Sequence, residues 1–310
     1  MARELYEKVH EEWKDRPDKT TPVFGKDLMQ IEKGIYKNSE NKALKEIYGD
    51  DNISMGRKEG SEVGKFSIAF GCDNTSSQVA SVALGQSTTA SFSAAFASGL
   101  STSATAIAAH AEGNSTTASG QFSHSEGINT TASRNASHAE GYQSVASGDY
   151  SHAEGNNTKS RGSSAHTEGQ STEASGIAAH AEGSGTIAST NYSHAEGYNT
   201  KSQGHSTHSE GYETESTGFF SHAEGYGTKA FGMYQHVQGQ YNEPDSKLAH
   251  IVGNGKSDSN RSNAHTLDWN GNAWFGGTIE STGIILTDTV TEQKYILTIA
   301  NGNLEITPVA

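Results

Sequence analysis

From Gly71 to Gly253 a glycine returns at every fourteenth residue, and from His110 to His250 a histidine does the same. A period this strict means stacked identical units, because so short a segment can bury an apolar face only against its neighbours. Fourteen residues are too few for a helical repeat. They suit two short strands joined by two tight turns, with glycine supplying backbone angles that other residues resist. The first strand reads SHAEG and the second resembles TTASG. Stacked in parallel about 4.8 Å apart, such units form a β-solenoid or β-roll. NISMG, ending at Gly56, matches SIAFG, ending at Gly71, with one extra residue between them. The array therefore starts near Asn52 and is expected to hold about 15 turns over a length on the order of 70 Å. Composition alone points elsewhere: 35 glycines and an apolar content of 32% suit a linker or a disordered chain. The period overrides that reading and requires a core of small residues, or one shared between chains.

Stacking turns each position into a column, and the columns separate by face. Between His and Glu stand Ala111, Ser125, Ala139, Ala153, Thr167, Ala181, Ala195, Ser209 and Ala223, always small, as the inside of a narrow roll demands. The column Thr116, Thr130, Ser144, Thr158 and the Ala or Ser two positions further on are equally uniform, whereas Thr117, Thr131, Val145, Lys159, Glu173 and Ile187 vary freely and mark a solvent column. Strand side chains alternate, so His and Glu point away from the small inner column. Traced towards the N-terminus, the His column becomes Phe96, Val82, Ile68 and Ile53, and the Glu column becomes Ser98, Leu84, Phe70 and Met55. An apolar stripe of that kind marks an interface, which predicts that this face is buried against another chain.

Nine turns carry both partners: His110 with Glu112, His124 with Glu126, His138 with Glu140, His152 with Glu154, His166 with Glu168, His180 with Glu182, His194 with Glu196, His208 with Glu210 and His222 with Glu224. They are expected to form a polar ladder in which each His donates to a Glu of its own or a neighbouring chain, since an unpaired buried carboxylate costs on the order of several kcal/mol. Ile68, Phe70, Val82, Leu84 and Phe96 would supply the apolar part of the same interface. A sharper alternative places metal ions or anions among three histidines per layer, imidazole being a common ligand. Repetition alone supplies no coordination geometry, so no metal and no cofactor is assigned. If the histidines are cationic, raising the pH through their titration should loosen the array.

The remaining chain falls into three parts around the array of residues 51–253. Residues 1–50 are charged and helix-like, with Leu5, Val9 and Trp13 stepping by four and Leu28, Ile31 and Ile35 by three and four. Residues 254–277 form a hairpin connector containing NAHTLDWNGNAWFGG, with Asn270 and Gly271 as a two-residue turn. Residues 278–310 form a C-terminal β tip of three strand-like runs, with a second such turn at Asn301 and Gly302. The single cysteine, Cys72, excludes an internal disulfide framework. The formal charge of −14 argues against binding nucleic acid through its phosphates. With no apolar run of about 18 residues and no signal-peptide pattern, membrane insertion is not expected. Catalytic residues are not assigned either: GxSxG, HExxH and Walker patterns are missing, and the Ser, His and Glu of SHAEG share one strand, where no nucleophile can be set against a base. Aromatic residues line the turns, Tyr142, Tyr198, Tyr212 and Tyr226 after glycines and Phe122, Tyr150, Tyr192, Phe220 and Tyr234 before the SH or QH pairs. Such rings can stack on sugars, although packing is their commoner role.

The units SIAFG and SVALG resemble the repeat of trimeric autotransporter adhesin heads over roughly Asn52 to Gly253. That resemblance implies a left-handed parallel β-roll associating in threes around its apolar residues, with His and Glu replacing the apolar pair over nine turns. TPVFGKDLMQIEKGIYKN resembles the helical module near the N-terminus of phage tail and baseplate appendage proteins. RSNAHTLDWNGNAWFGG and TDTVTEQKYILTIANGNLEI resemble C-terminal modules of tail-fibre proteins from phages of Gram-positive bacteria, where SHAEG arrays are common. Together these imply a homotrimeric virion fibre or appendage, assembled in the host cytoplasm and acting outside the cell. Residues 1–50 would dock onto other tail or baseplate proteins, with Leu28, Ile31 and Ile35 as candidate contacts, and the C-terminal end would meet a host receptor. The alternative is an adhesin-like bacterial surface protein that binds glycans through the repeat face.

Overall fold

A computed structural model of the chain describes residues 53–277, 284–288, 290–300 and 303–309. The segment read as helical over residues 1–50, with Leu28, Ile31 and Ile35, lies outside them, as does the turn at Asn301 and Gly302. The described chain is mainly β, a parallel solenoid of about 14 turns rather than 15, and among the described residues there is no helix. It divides into two units, Met1–Ser171 and Thr172–Ala310.

In the first unit the strand Val82–Gln86 pairs in parallel with Phe96–Leu100, which pairs with His110–Asn114, which pairs with His124–Ile128. Register is kept at every step, so Ala83 faces Ala97 and Ala97 faces Ala111, with His110 level with His124. The second strands follow suit, Thr117 pairing with Thr131 and Ala118 with Ala132. The second unit repeats the pattern from His180–Ser184 to His236–Gln240. Alternation puts Ala83, Ala97, Ala111, Ala139 and Ala153 inside at 0% exposure, together with Thr116, Thr130 and Thr158. Only small side chains fit because the two strands of a turn close upon each other, and dispersion contacts rather than bulk provide the cohesion. The variable column proves half-buried at most positions rather than fully exposed, with Lys201 the outward exception. Turns stacked directly above and below cover the base of each of those side chains.

The corners explain two further features of the repeat. Serine precedes His because its hydroxyl bridges the corner: Ser137 Oγ donates to the Arg134 carbonyl at 2.7 Å and accepts the Arg134 amide at 3.1 Å. Besides its periodic glycine, each turn carries two further left-handed residues, such as Phe122 at φ 58 and Asn129 at φ 57. A left-handed non-glycine residue costs on the order of 1 kcal/mol. Each is held by an amide donated to the preceding turn, Phe122 to the Ile107 carbonyl and Asn129 to the Asn114 carbonyl, both at 2.9 Å.

Polar side chains close the solenoid where stacking stops. At the start, the Arg57 guanidinium donates to the Ser76 carbonyl at 2.7 Å and to Ser54 Oγ at 2.9 Å, and Asn74 takes the place of threonine in the inner column. In the second unit the inner column grows to Val237 and Ile251, both fully buried, while Asn242 and Gln235 occupy the ends of the Thr and Ser columns. Gln235 accepts the amides of Phe231 and Gly232 and donates to the carbonyls of Asp245 and Leu248. Arg261 donates to the carbonyls of Gly227 and Asn242.

After the last parallel strand the direction reverses. Leu248–Asn254 pairs antiparallel with Asn263–Asp268, and that strand pairs with Ala273–Phe275. The hairpin loop is one residue longer than expected: Asp268 donates its amide to the Asn272 carbonyl, leaving Trp269, Asn270 and Gly271 as a three-residue loop with Gly271 at φ 85. This is the type I turn followed by a left-handed residue, held by Asp268 Oδ1 accepting the amides of Asn270 and Asn272. The tip is a separate antiparallel sheet of Ile284–Thr287, Lys294–Ala300 and Asn303–Pro308.

Candidate functional site

The face that carries His and Glu is set by strand alternation, since their neighbour in the strand is the buried alanine. Phe96 stands in register with His110 and Ser98 with Glu112, so the apolar and polar columns form one continuous face. Of the apolar residues read as an interface, Phe70 is 51% exposed, while Ile68, Val82, Leu84 and Phe96 are half-buried. Ile53 and Met55 extend the exposed row at 49% and 46%.

The imidazoles stack. Ring centroids lie 4.5 Å apart for His110 and His124, 4.7 Å for His124 and His138, 4.6 Å for His138 and His152, and 5.0 Å for His152 and His166, with ring planes within 14° of parallel. In the second unit the same spacing runs from His180 through His194 and His208 to His222. Phe96 closes the top of the first stack edge-on, 4.7 Å from His110. At the far end the series continues through His236 and His250 onto His265 and Phe275 of the hairpin. Sequence reasoning missed His265 and Phe275, because they join the face through an antiparallel register that the fourteen-residue period does not contain.

Glu126, Glu140, Glu154, Glu182, Glu196, Glu210 and Glu224 reach towards the histidine of the next turn, whereas Glu112 lies 3.6 Å from His110 of its own turn. His222 Nε2 lies 3.0 Å from Glu210 Oε1, a hydrogen bond. The corresponding separations are 3.7 Å for His138 and Glu126, 3.5 Å for His152 and Glu140, 3.5 Å for His194 and Glu182, 3.8 Å for His208 and Glu196 and 3.4 Å for His236 and Glu224. The expected His to Glu pairing is thus a hydrogen bond at His222, while Nε2 of His138, His152, His194 and His208 is shielded from solvent without one. Two stacked imidazole nitrogens and one carboxylate oxygen, as in His138, Glu140 and His152 or His194, Glu196 and His208, lie within 4.8 Å of one another. These are the groups on the face that could hold a metal ion.

Burial first, then the stacked neighbour His124, hold His110 below the ordinary histidine value, and burial with His152 and His124 does the same for His138. Burial and His166 lower His152, and burial with His194 and His222 lowers His208. Along the glutamate column, carboxyls of successive turns hydrogen-bond one another. Hydrogen bonding to Glu154, then burial and Glu126, push Glu140 up to about 7, and hydrogen bonding to Glu182, then burial and Glu210, do the same for Glu196. Glu154, hydrogen-bonded to Glu140 and Glu168, stays below its ordinary value. His110, His138, His152 and His208 are thus each held below the ordinary histidine value, which favours their neutral form.

The pH dependence follows. A histidine lowered on folding stabilises fully above its ordinary value of 6.5 and loses that contribution as the pH falls below it. A glutamate raised from 4.5 to about 7 stabilises fully below 4.5 and loses that contribution as the pH rises through about 7. Between pH 4.5 and about 7 the two contributions therefore oppose each other, and above about 7 neither changes the thermal midpoint further. The double variant Glu140→Gln with Glu196→Gln should lose the fall between pH 4.5 and about 7 and keep the histidine rise up to pH 6.5; a pH profile identical to that of the parent contradicts the assignment.

The turn aromatics sort into two rows. Tyr198, Tyr212 and Tyr226 stack face to face at 4.8 and 4.7 Å, so both faces of Tyr212 and the inner faces of the other two are already occupied. Phe122, Tyr150 and Tyr192, at left-handed corners, stand 58 to 68% exposed. Among the described residues no helix is long and apolar enough to cross a membrane. Compared with known families and with curated proteins, the chain matches no family model and no curated protein.

Proposed function

We propose that the chain is a structural homotrimeric fibre or appendage of a phage or phage-like particle. The solenoid would serve as its shaft, residues 1–50 as its attachment to other tail or baseplate proteins, and the C-terminal end as its contact with the host surface. The observation that carries this reading is the single face on which exposed Ile53, Met55 and Phe70 run in register into the His and Glu columns. A soluble monomer rarely leaves such a stripe open, and three copies sharing it would seal both the apolar row and the ladder. The tip sheet supports the same reading, since Ile285, Leu304 and Ile306 are 57 to 64% exposed on a single chain. The virion assignment rests on the resemblance of the flanking segments to phage modules, and it carries no catalysis, no nucleic-acid contact and no membrane insertion.

The test is the mass of the purified chain by light scattering at pH 7.5 and at pH 5. A mass near three times 32.8 kDa is expected at pH 7.5. A monomer at both values would place the ladder on the surface and favour the second reading, an adhesin-like protein that binds glycans through the repeat face. The exposed corner rings of Phe122, Tyr150 and Tyr192 are the observation in that reading's favour.

A further inference from the structure

We infer that the ladder is a row of binding sites for divalent transition-metal ions of the zinc, cobalt and nickel class, each ion held between adjacent turns by two stacked histidines and the glutamate lying between them. The clearest site is His194, Glu196 and His208. The two rings are 4.6 Å apart and within 1° of parallel. The Glu196 carboxylate spans them, with Oε2 3.9 Å from His194 Nε2 and Oε1 3.8 Å from His208 Nε2. In the first unit Glu154 stands in the same way between His152 and His166, 3.9 Å from each Nε2.

These separations exceed the hydrogen-bond range of about 2.7 to 3.2 Å. They lie within about 0.5 Å of the span of roughly 3.4 Å between a nitrogen and an oxygen that share a tetrahedral ion with bonds near 2.1 Å. Nε2 of His194 and His208 has no hydrogen-bond partner and is shielded from solvent, which is costly for a polar atom unless something completes it. Closing the group requires the two Nε2 atoms to approach by about 1 Å, a small tilt of two rings whose backbones are fixed by the strand pairing. Two imidazoles and a carboxylate suit zinc, cobalt or nickel and leave one position for water, whereas magnesium and calcium prefer all-oxygen shells.

Neighbouring groups share histidines, and each Nε2 serves one ion. The five ladder histidines from His110 to His166 therefore form two pairs with one left over, and so do the five from His180 to His236. All ligands of a site belong to one chain, so the inference stands whether or not chains associate.

The experiment is equilibrium dialysis of the chelator-stripped full chain against zinc chloride, with elemental analysis, and against cobalt chloride, with visible spectroscopy. About four zinc ions per chain are expected at saturation, together with the intense visible bands of tetrahedral cobalt. His194→Ala leaves the second unit only groups that share His222 and should remove one ion, and His152→Ala with His194→Ala should remove two; unfolding of each stripped variant is recorded so that loss of ions is not confused with loss of fold. Fewer than about 0.2 ions per chain at 100 µM free zinc overturns the inference. So does an unchanged stoichiometry in folded double variant, or equal uptake of calcium.

Discussion

Gly141→Ala is expected to destabilise the first unit by about 4 kcal/mol and to lower its unfolding midpoint by about 10 °C. Gly141 sits at φ +95, where an L side chain is strained, and a Cβ built there meets the Gly155 carbonyl oxygen of the next turn at 2.2 Å. The obstacle is backbone, held in place by its own stacking, so it cannot rotate aside. Gly271→Ala is the control. It has a similar φ of +85 with nothing within 4 Å of the added carbon, and should cost about 1 kcal/mol, the strain alone. Thermal unfolding of both variants decides the matter, and equal losses would show that close stacking is not what requires glycine at this position.

Asn74→Ala should be nearly as damaging. Asn74 is completely buried and uses its whole amide: Oδ1 accepts the Thr88 amide at 3.0 Å and the Thr88 hydroxyl at 2.8 Å, and Nδ2 donates to the Phe70 and Gly85 carbonyls, both at 2.8 Å. Alanine leaves buried backbone groups without partners at the edge of the array, at a cost of about 4 kcal/mol. Asn74→Thr, which installs the residue of the following turns, should recover only part of that loss because threonine cannot bridge two carbonyls. Hydrogen exchange at the Thr88 amide, faster by about 100-fold or more in the alanine variant, provides the local readout. A protection pattern identical to that of the parent would refute the capping role.

The period and the faces of the solenoid were legible from residues alone, because identical turns make identical columns: the alanine column of Ala111 and Ala139 and the threonine column of Thr116 and Thr130 are both buried. The outward direction of His and Glu followed from alternation. Three features were not legible. The glutamate partner of His152 belongs to the turn before it as well as to its own, a diagonal that depends on strand tilt rather than spacing. Arg57 and Arg261 close the array through carbonyls distant in sequence, and an arginine that caps an end looks like any charged residue outside a repeat. The extra loop residue at Trp269 shows only once the ladder from Asn263 to Phe275 is counted.

The register that carries alanine onto alanine and glycine onto glycine also makes the turns interchangeable. Removing or adding one complete turn leaves every remaining residue facing its own column, whereas removing an odd number of residues from a strand turns the inner column outward. The length of the array can therefore change in uniform steps of about 4.8 Å, one per turn, while its core chemistry stays intact.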